Sequence, residues 1–152
     1  MTTEISWSDP VEVHCIAATG ALKNLAAAAV AAGAAYDNRT AKKRLADFVL
    51  YIHDFAAAPA AGGYFELHLI YKPDGTNYAD GEDGDVASPH LSANTFEQVF
   101  NIYAGDEDQR IMVKEVPILP HAFVPVVKNS TSQAVANSDG STLDMYVYGE
   151  QV

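Results

Sequence analysis

The chain has little cysteine, few basic residues and no long hydrophobic run, and each shortage excludes a class of protein. Cys15 is the only cysteine among 152 residues, so the chain forms no internal disulfide and offers no pair of thiolates to a metal ion. Nine lysines and arginines stand against 20 aspartates and glutamates, which gives a net charge of −11. A field of that sign repels phosphate, so we expect no nucleic-acid partner. Because no window of 18 strongly apolar residues occurs, we also expect no membrane span.

Recognisable catalytic motifs are missing too. There is no Gly-x-Ser-x-Gly nucleophile elbow, and on a strand Cys15 would point away from its neighbour His14. The histidines show no two-histidine metal motif; they are His14, His53, His68, His90 and His121. Glu66 and His68 would share one strand face, which we read as exposed and polar, because no third ligand is visible. We expect no catalytic residue, no cofactor and no metal ion, and hence no enzyme.

The acidic residues cluster at residues 80–85 and 106–108, which are typical of solvated loops. The first run, from Asp80 to Asp85, also supplies oxygen ligands of the kind that calcium accepts. Its spacing does not match the twelve-residue helix-loop-helix site. Cation binding there stays an alternative to a plain acidic loop.

The chain is rich in segments with strand patterns. Residues 64–72 alternate large apolar with polar residues in period two and lie between Gly62-Gly63 and Pro73-Asp74-Gly75, which predicts a half-buried strand between turns. Further short segments rich in Val, Ile, Phe and Tyr predict strands at residues 45–54, 96–103, 110–116, 122–128 and 142–148. Residues 45–54 also fit a helical stripe, but their β-branched and aromatic content favours a strand. This spacing of short strands predicts a sandwich or a barrel.

Residues 21–35 are mostly alanine and support two interpretations. Alanine propensity favours a helix. Against a helix, Gly33 interrupts the run and no stripe of large side chains would anchor it on a core. Small side chains also suit a strand that lies close to another backbone, so both alternatives stay open.

The only tryptophan, Trp7, lies in an N-terminal arm with Ile5 and Val11. Such a residue can pack on its own core or anchor the arm on a partner, because tryptophan buries a large area with few rotatable bonds. We keep both alternatives and count Ile5, Trp7 and Val11 as candidate partner contacts.

Residues 67–81 read Leu-His-Leu-Ile-Tyr-Lys-Pro-Asp-Gly-Thr-Asn-Tyr-Ala-Asp-Gly. This segment resembles a recurrent pattern in small structural proteins of tailed bacteriophages, in which an aliphatic strand runs into an Asp-Gly-Thr-Asn-Tyr turn. Residues 34–38, 56–63 and 127–134 are similar to the same pattern in the same order. The resemblance covers roughly residues 20 to 150, and its motifs are specific only as a set because each is mostly turn chemistry.

The resemblance implies an all-β fold, an antiparallel jelly-roll-like sandwich at residues 21–152 that follows an N-terminal arm and first strand at residues 1–20. It favours a strand in residues 21–35. The implied function is that of a non-enzymatic capsid decoration, or cement, protein on the outside of the assembled head. The implied locations are the capsid exterior of the virion and, during assembly, the host cytoplasm. The implied partners are the major capsid protein and neighbouring copies of the chain, with a trimer favoured over a dimer by the local three-fold positions of capsids.

A basic cluster departs from the resemblance and is the only local positive patch on this acidic chain; it comprises Arg39, Lys42, Lys43 and Arg44. Its residues either contact an acidic capsid surface, which makes them candidate partner contacts, or belong to a solvated loop.

The alternative function is a neck, tail or fibre module that binds a receptor or carbohydrate. Tyr78, Tyr103 and the loop at residues 80–85 would then form its site. A small sandwich-fold enzyme is a third hypothesis, and it requires a pocket with convergent titratable groups.

Overall fold

A computed structural model of the chain describes residues 6–78, 91 and 95–151, with the backbone alone at residues 6, 7, 150 and 151. Its elements are eleven strands and one helical turn within those residues. They are β1 (Ser6–Trp7), β2 (Val11–Ile16), β3 (Val30–Ala32), β4 (Tyr36–Asp37), α1 (Asn38–Ala41), β5 (Leu45–Ile52), β6 (Tyr64–Lys72), β7 (Phe96–Asn101), β8 (Gln109–Pro117), β9 (Ala122–Asn129), β10 (Thr142–Tyr148) and β11 (Glu150–Gln151).

The strands form two packed antiparallel sheets, which confirms the predicted all-β sandwich. Sheet one has the order β2-β10-β5-β8, and sheet two has the order β3-β9-β6-β7, with β4 also paired to β9. A small ribbon joins the two ends of the chain, because Ser6 and Trp7 of β1 pair with β11. The predicted N-terminal arm therefore includes a short paired strand before β2.

The core lies between the sheets, where side chains of alternate positions meet. Phe48 of β5, Phe65 of β6, Phe100 of β7 and Phe123 of β9 are fully buried. The predicted strand at residues 142–148 is present as β10, in which Leu143, Met145 and Val147 are buried and the residues between them are half-buried. Burial of this aromatic and aliphatic surface is the main stabilising contribution to the fold.

The strands predicted from alternation are all present, and β6 has the predicted bounds. Turn chemistry ends β6 as expected: Gly75 has φ +81°, and the Asp74 carboxylate accepts hydrogen bonds from the backbone N–H groups of Thr76 and Asn77 at 2.8 and 2.7 Å. The prediction that the second face of β6 is exposed was wrong, because His68 is 4% and Ile70 2% exposed. Side chains from outside the sheet, Tyr78 and Leu91, pack on the cluster that contains Ile70.

Residues 21–35 form neither a helix nor a long strand. Asn24 and Ala28 have φ of +60° and +64°, and turns connect them to β3, which is three residues long. Backbone hydrogen bonds that a helix would keep internal go to distant residues instead, such as Val135 N–H to the Leu25 carbonyl at 3.0 Å. The expected close backbone approach does occur at Gly33, where a Cβ would lie 2.9 Å from the Cys15 carbonyl oxygen.

Candidate functional site

The outer face of sheet one carries tyrosines that each donate a hydrogen bond to a carboxylate. We call this surface the tyrosine–carboxylate face; its pairs are Tyr51 with Asp108, Tyr146 with Glu12, and Tyr148 with Asp47. The three O–O distances are 2.5, 2.7 and 3.0 Å in that order. Each hydrogen bond orients the carboxylate that accepts it. The same face also carries the basic residue Arg110, which pairs with Tyr51 in the sheet.

Protonation of these tyrosines is favoured by their surroundings. Burial, followed by the hydrogen bond to Asp47 and its charge, raises the pKa of Tyr148 to about 12. The hydrogen bond to Glu12 is the main cause that raises the pKa of Tyr146. Both side chains are therefore hydrogen-bond donors at neutral pH, with an apolar ring beside a negative group.

A strained bulge in β8 fixes Asp47. Ala46 pairs with Val116 while Phe48 pairs with Val113, so two residues of β8 lie opposite Asp47. One of them, Glu115, has φ +56°, a left-handed conformation that is unfavourable for a residue with a side chain. Its N–H donates to Asp47 Oδ1 at 2.8 Å, the same oxygen that accepts from Tyr148. The carboxylate of Asp47 thus stabilises the bulge.

An acidic groove opens beside this bulge. Its volume is about 510 Å³, and its lining residues are Ser8, Asp9, Pro10, Leu45, Asp47, Glu115 and Tyr148. Three of these side chains are carboxylates and none is a lysine or an arginine. The groove is therefore mainly acidic, and its residue Ser8 accepts a hydrogen bond from Lys43 Nζ at 3.1 Å.

Three side chains of types that can bind a metal ion converge at the β2 edge of the same face. Their donor atoms, one each from Glu12, His14 and Asp144, all lie within 4.8 Å of one another. His14 Nδ1 is 2.7 Å from Asp144 Oδ1. The hydrogen bond to Asp144 and the charges of Asp144 and Glu12 raise the pKa of His14 against the opposing effect of burial.

The local strand geometry explains this convergence. Leu143 pairs with Ile16 but Asp144 pairs with His14, so Cys15 is an extra residue in β2 and forms a bulge. Cys15 and Ile16 are both buried, whereas Glu12 and His14 are exposed. The bulge thereby places the His14 imidazole beside Asp144. Burial raises the pKa of the Cys15 thiol to about 12, so the thiol stays protonated at neutral pH.

Glu66 and His68, the pair singled out from the sequence, lie on the outer face of sheet two. His68 Nε2 is 3.1 Å from Glu66 Oε2, and His68 Nδ1 is 3.0 Å from the Thr95 hydroxyl. Glu66 also accepts from Ser130 Oγ at 2.6 Å and from Lys128 Nζ at 3.1 Å. Glu66 therefore has protein donors on both carboxylate oxygens.

Burial shifts the pKa values of this second pair in a defined way. Burial lowers the pKa of His68, although its hydrogen bond to Glu66 opposes that shift. For Glu66, burial acts to raise the pKa, but hydrogen bonds from Ser130, Lys128 and His68 outweigh it and lower the pKa. At neutral pH the pair is a neutral imidazole that donates from Nε2 to an ionised carboxylate.

The predicted contacts of the N-terminal arm are partly described. Val11 is 52% exposed in β2, at the edge of sheet one. Trp7 is a strand residue paired with Glu150. Ile5 lies outside the described residues, as does the acidic loop at residues 80–85. For the carbohydrate alternative, Tyr103 is 60% exposed, and Tyr78 packs under Lys72, whose Nζ is 4.2 Å from the ring centre.

Two residues of the basic cluster, Arg39 and Lys43, make contacts within the chain. Arg39 binds the Asp37 carboxylate with its Nη2 at 2.7 Å and donates to the Asp74 carbonyl oxygen at 3.1 Å. Lys43 donates to Ser8 Oγ at 3.1 Å. These two side chains tie loops together. Arg39, Lys42 and Arg44 are all exposed.

Sequence reasoning missed the cluster at Glu12, His14 and Asp144. Glu12 and His14 have the same two-residue spacing as Glu66 and His68, so this part of the signal was present. Asp144 lies 130 residues beyond His14, and only the pairing of β2 with β10 brings the two together.

Comparison of the chain with protein-family models, with curated proteins and with solved structures finds no match. No helix in the described part of the chain is long and apolar enough to cross a membrane.

Proposed function

We propose that the chain is a non-enzymatic virion structural protein of a tailed bacteriophage, a decoration protein that binds the outside of the assembled head and stabilises it. The proposal rests on the resemblance of residues 67–81 and on the sandwich fold. The observation that carries it is the tyrosine–carboxylate face, a wide surface with fixed polar groups on the strands of a sheet. Its partners would be the major capsid protein and neighbouring copies of the chain.

The face has the properties of a binding surface. Tyr51, Tyr146 and Tyr148 offer rigid rings that lose little side-chain entropy on contact. Their acceptor carboxylates and the acidic groove beside Tyr148 add negative charge with fixed directions. A partner surface with exposed lysines or arginines would match this charge, and such complementarity guides association and fixes orientation.

Stabilisation by such a protein is a linkage effect. A protein that binds the assembled shell better than free capsid subunits shifts the equilibrium toward the shell. Many copies on a symmetric lattice, or copies joined in a trimer, would add their weak contacts through avidity.

Exposed apolar side chains provide candidate contacts with neighbouring copies. Met112 of β8 is 48% exposed and Phe96 of β7 is 46% exposed, and both strands are sheet edges. Leu119, in the loop after β8, is 50% exposed. Large apolar residues at edges are suited to contacts between protein copies.

Cosedimentation with capsid shells assembled without the chain tests the proposal. We expect saturable binding by the wild type and at least about tenfold weaker binding by Glu12→Lys, because charge reversal on the face costs ~1.4 kcal/mol or more. Asp139→Lys is the matched control, since Asp139 is an exposed loop residue paired with Lys23 and the charge change is the same. Equal loss in both variants, or no binding by the wild type, would contradict the decoration proposal.

A second variant tests the N-terminal arm. Deletion of residues 1–7 removes Ile5 and Trp7 but keeps Val11 and the metal-ligating cluster. Weaker shell binding with an unchanged circular dichroism spectrum would support an arm that contacts the capsid. Unchanged binding would restrict the contact to the sandwich.

The tyrosine–carboxylate pairs also favour a second candidate, a carbohydrate-binding module of a neck, tail or fibre. Aromatic rings beside fixed carboxylates provide stacking surfaces and hydrogen-bond acceptors for sugar hydroxyls. A glycan array probed with the isolated protein separates the candidates. Specific glycan binding without shell binding would favour the module, whereas shell binding alone would favour the decoration protein.

A further inference from the structure

We propose that Glu12, His14 and Asp144 form a site for a divalent transition-metal ion, with Zn²⁺ as the best-fitting probe. The inference is independent of the virion proposal, because it depends only on three side chains at the edge of sheet one. It also revises the expectation from the sequence that the chain holds no metal ion.

The donor set matches this class of ion. One imidazole nitrogen and two carboxylate oxygens are ligands that zinc accepts, and three protein ligands with water in the fourth position form an open zinc site. The nitrogen donor disfavours calcium and magnesium, which take oxygen ligands. Imidazole suits zinc and its neighbours among the transition metals.

The distances allow closure around an ion without movement of the backbone. Ligands about 2.1 Å from a tetrahedral zinc ion are roughly 3.4 Å apart. The three donor atoms here already lie within 4.8 Å of one another, and His14 Nδ1 and Asp144 Oδ1 are at 2.7 Å. Side-chain rotations that move donor atoms by about 1 Å are sufficient, and the His14 side chain is 72% exposed and has room to make them.

The backbone fixes the positions from which the ligands reach the ion. His14 lies directly opposite Asp144, and Glu12 lies opposite Tyr146, two residues along the same pair of strands. The bulge at Cys15 adds a local constraint to this register. A site on paired strands is held more precisely than a site on a loop.

Neighbouring hydroxyls orient both carboxylates. Tyr146 donates to Glu12 Oε1 at 2.7 Å, and Thr142 Oγ1 donates to Asp144 Oδ2 at 3.0 Å. The other oxygen of each carboxylate, Glu12 Oε2 or Asp144 Oδ1, can then bind the ion. Such outer hydrogen bonds are typical of metal sites and typically contribute 10–100-fold to affinity.

Other imidazole–carboxylate pairs of the described chain lack this arrangement. The Glu66 carboxylate accepts from the Lys128 ammonium group, whose positive charge opposes a metal ion. His53 Nδ1 lies 3.0 Å from Asp108 Oδ1, but no third ligand lies within the same short range in the part of the chain that the structure describes. His53 therefore provides a matched control on the same face.

Isothermal titration of the full chain with Zn²⁺ at neutral pH, with circular dichroism to check the fold, tests the site. We expect one saturable site per chain in the wild type. His14→Asn should weaken binding at least about 100-fold, and Tyr146→Phe should weaken it by about tenfold, as loss of an outer hydrogen bond does. His53→Asn should bind as the wild type does.

The inference would be overturned by a wild type that shows no saturable binding. It would also be overturned if folded His14→Asn bound Zn²⁺ as tightly as the wild type, or if His53→Asn lost binding to the same extent. Because Zn²⁺ binding is measured on the isolated chain, failure here leaves the shell-binding proposal untouched, and failure of shell binding leaves the metal site untouched.

Discussion

The sequence Glu-x-His occurs twice in this chain, and the two copies have opposite surroundings. Glu66 and His68 lie on the central strand β6, where the His68 side chain is 5% and that of Glu66 16% exposed. Glu12 and His14 lie on the edge strand β2, where the His14 side chain is 72% exposed. The same two-residue spacing thus gives a buried polar cluster on β6 and an exposed group of candidate metal ligands on β2.

The difference shows that strand position decides what a polar pair can do. On β6, donors from β9 and from the chain near Thr95 bind the pair, so its hydrogen-bonding capacity serves the fold. On β2 the nearest third group is Asp144, which adds a negative charge in place of a positive one. The first cluster is stabilising, and the second retains affinity for a cation.

Removal of the two glutamates should have very different effects. Glu66→Ala leaves His68, Ser130 and Lys128 without their acceptor, so we expect a loss of about 3 kcal/mol in the free energy of unfolding. Glu12→Ala removes an exposed side chain, and we expect a change within about 0.5 kcal/mol. Urea denaturation of both variants measures this. Similar losses in the two variants would contradict the assignment of a structural role to one pair only.

Zinc should stabilise the folded chain by binding at Glu12 and His14, and not at Glu66 and His68. At a free concentration 100 times Kd, a ligand that binds only the folded state adds about 2.7 kcal/mol to the free energy of unfolding. We expect a rise in Tm of the wild type under such conditions and none in His14→Asn. A Tm rise of the same size in both proteins would place the stabilising ion elsewhere.

Acid should destabilise the fold through protonation of His68 and Glu66. Burial lowers the pKa of His68 from its usual 6.5, so below 6.5 the unfolded chain binds the proton more readily. The stability contribution is therefore present above pH 6.5 and is lost as the pH falls through the folded pKa. The groups that face His68 are Glu66, whose own lowered pKa adds a loss with the same sign below 4.5, the hydroxyl of Thr95, the ammonium of Lys128 and the ring of Phe96.

Urea unfolding over a range of pH measures this effect, which we expect to be smaller than the first two. His68→Gln should have a flatter dependence between neutral pH and mild acid than the wild type. A steeper or identical dependence in the variant would show that the imidazole of His68 is not buried in its neutral form.

The smallest effects on stability should come from the tyrosine hydroxyls of the tyrosine–carboxylate face. Tyr148→Phe removes a donor from Asp47 at the strained bulge, and we expect a loss of about 1 kcal/mol. Tyr146→Phe removes an exposed hydrogen bond to Glu12, and we expect less than about 0.5 kcal/mol. Thermal unfolding of the two variants tests the order, and a larger loss for Tyr146→Phe would contradict it.

Local sequence patterns predicted most strands of the sandwich, but not the packing of distant segments on its outer faces. Strands β6 and β10 have the predicted bounds because alternation of period two and the flanking turns are local properties. Burial of His68 was not predictable, since it depends on packing by distant segments. Asn24 and Ala28 adopt left-handed conformations that prevent a continuous helix in the alanine-rich run, despite its helix propensity. No local rule predicts that conformation for an alanine.

The candidate site was predictable only in part, for the same reason. The spacing of Glu12 and His14 is visible in the sequence, and so is the two-residue spacing of Tyr146 and Tyr148 in β10. The partnership with Asp144 depends on the register between β2 and β10, which includes the bulge at Cys15. Register over such a separation is set by packing of the whole sheet.

The most direct test of the contrast between the two pairs is NMR of the histidine rings during titration with Zn²⁺. We predict that the ring signals of His14 shift and saturate at one equivalent of zinc, while His68 keeps the signals of a neutral ring protonated at Nε2. Shifts at His68 equal to those at His14, or no shift at His14, would contradict the account that one pair is bound within the fold and the other is open to a ligand.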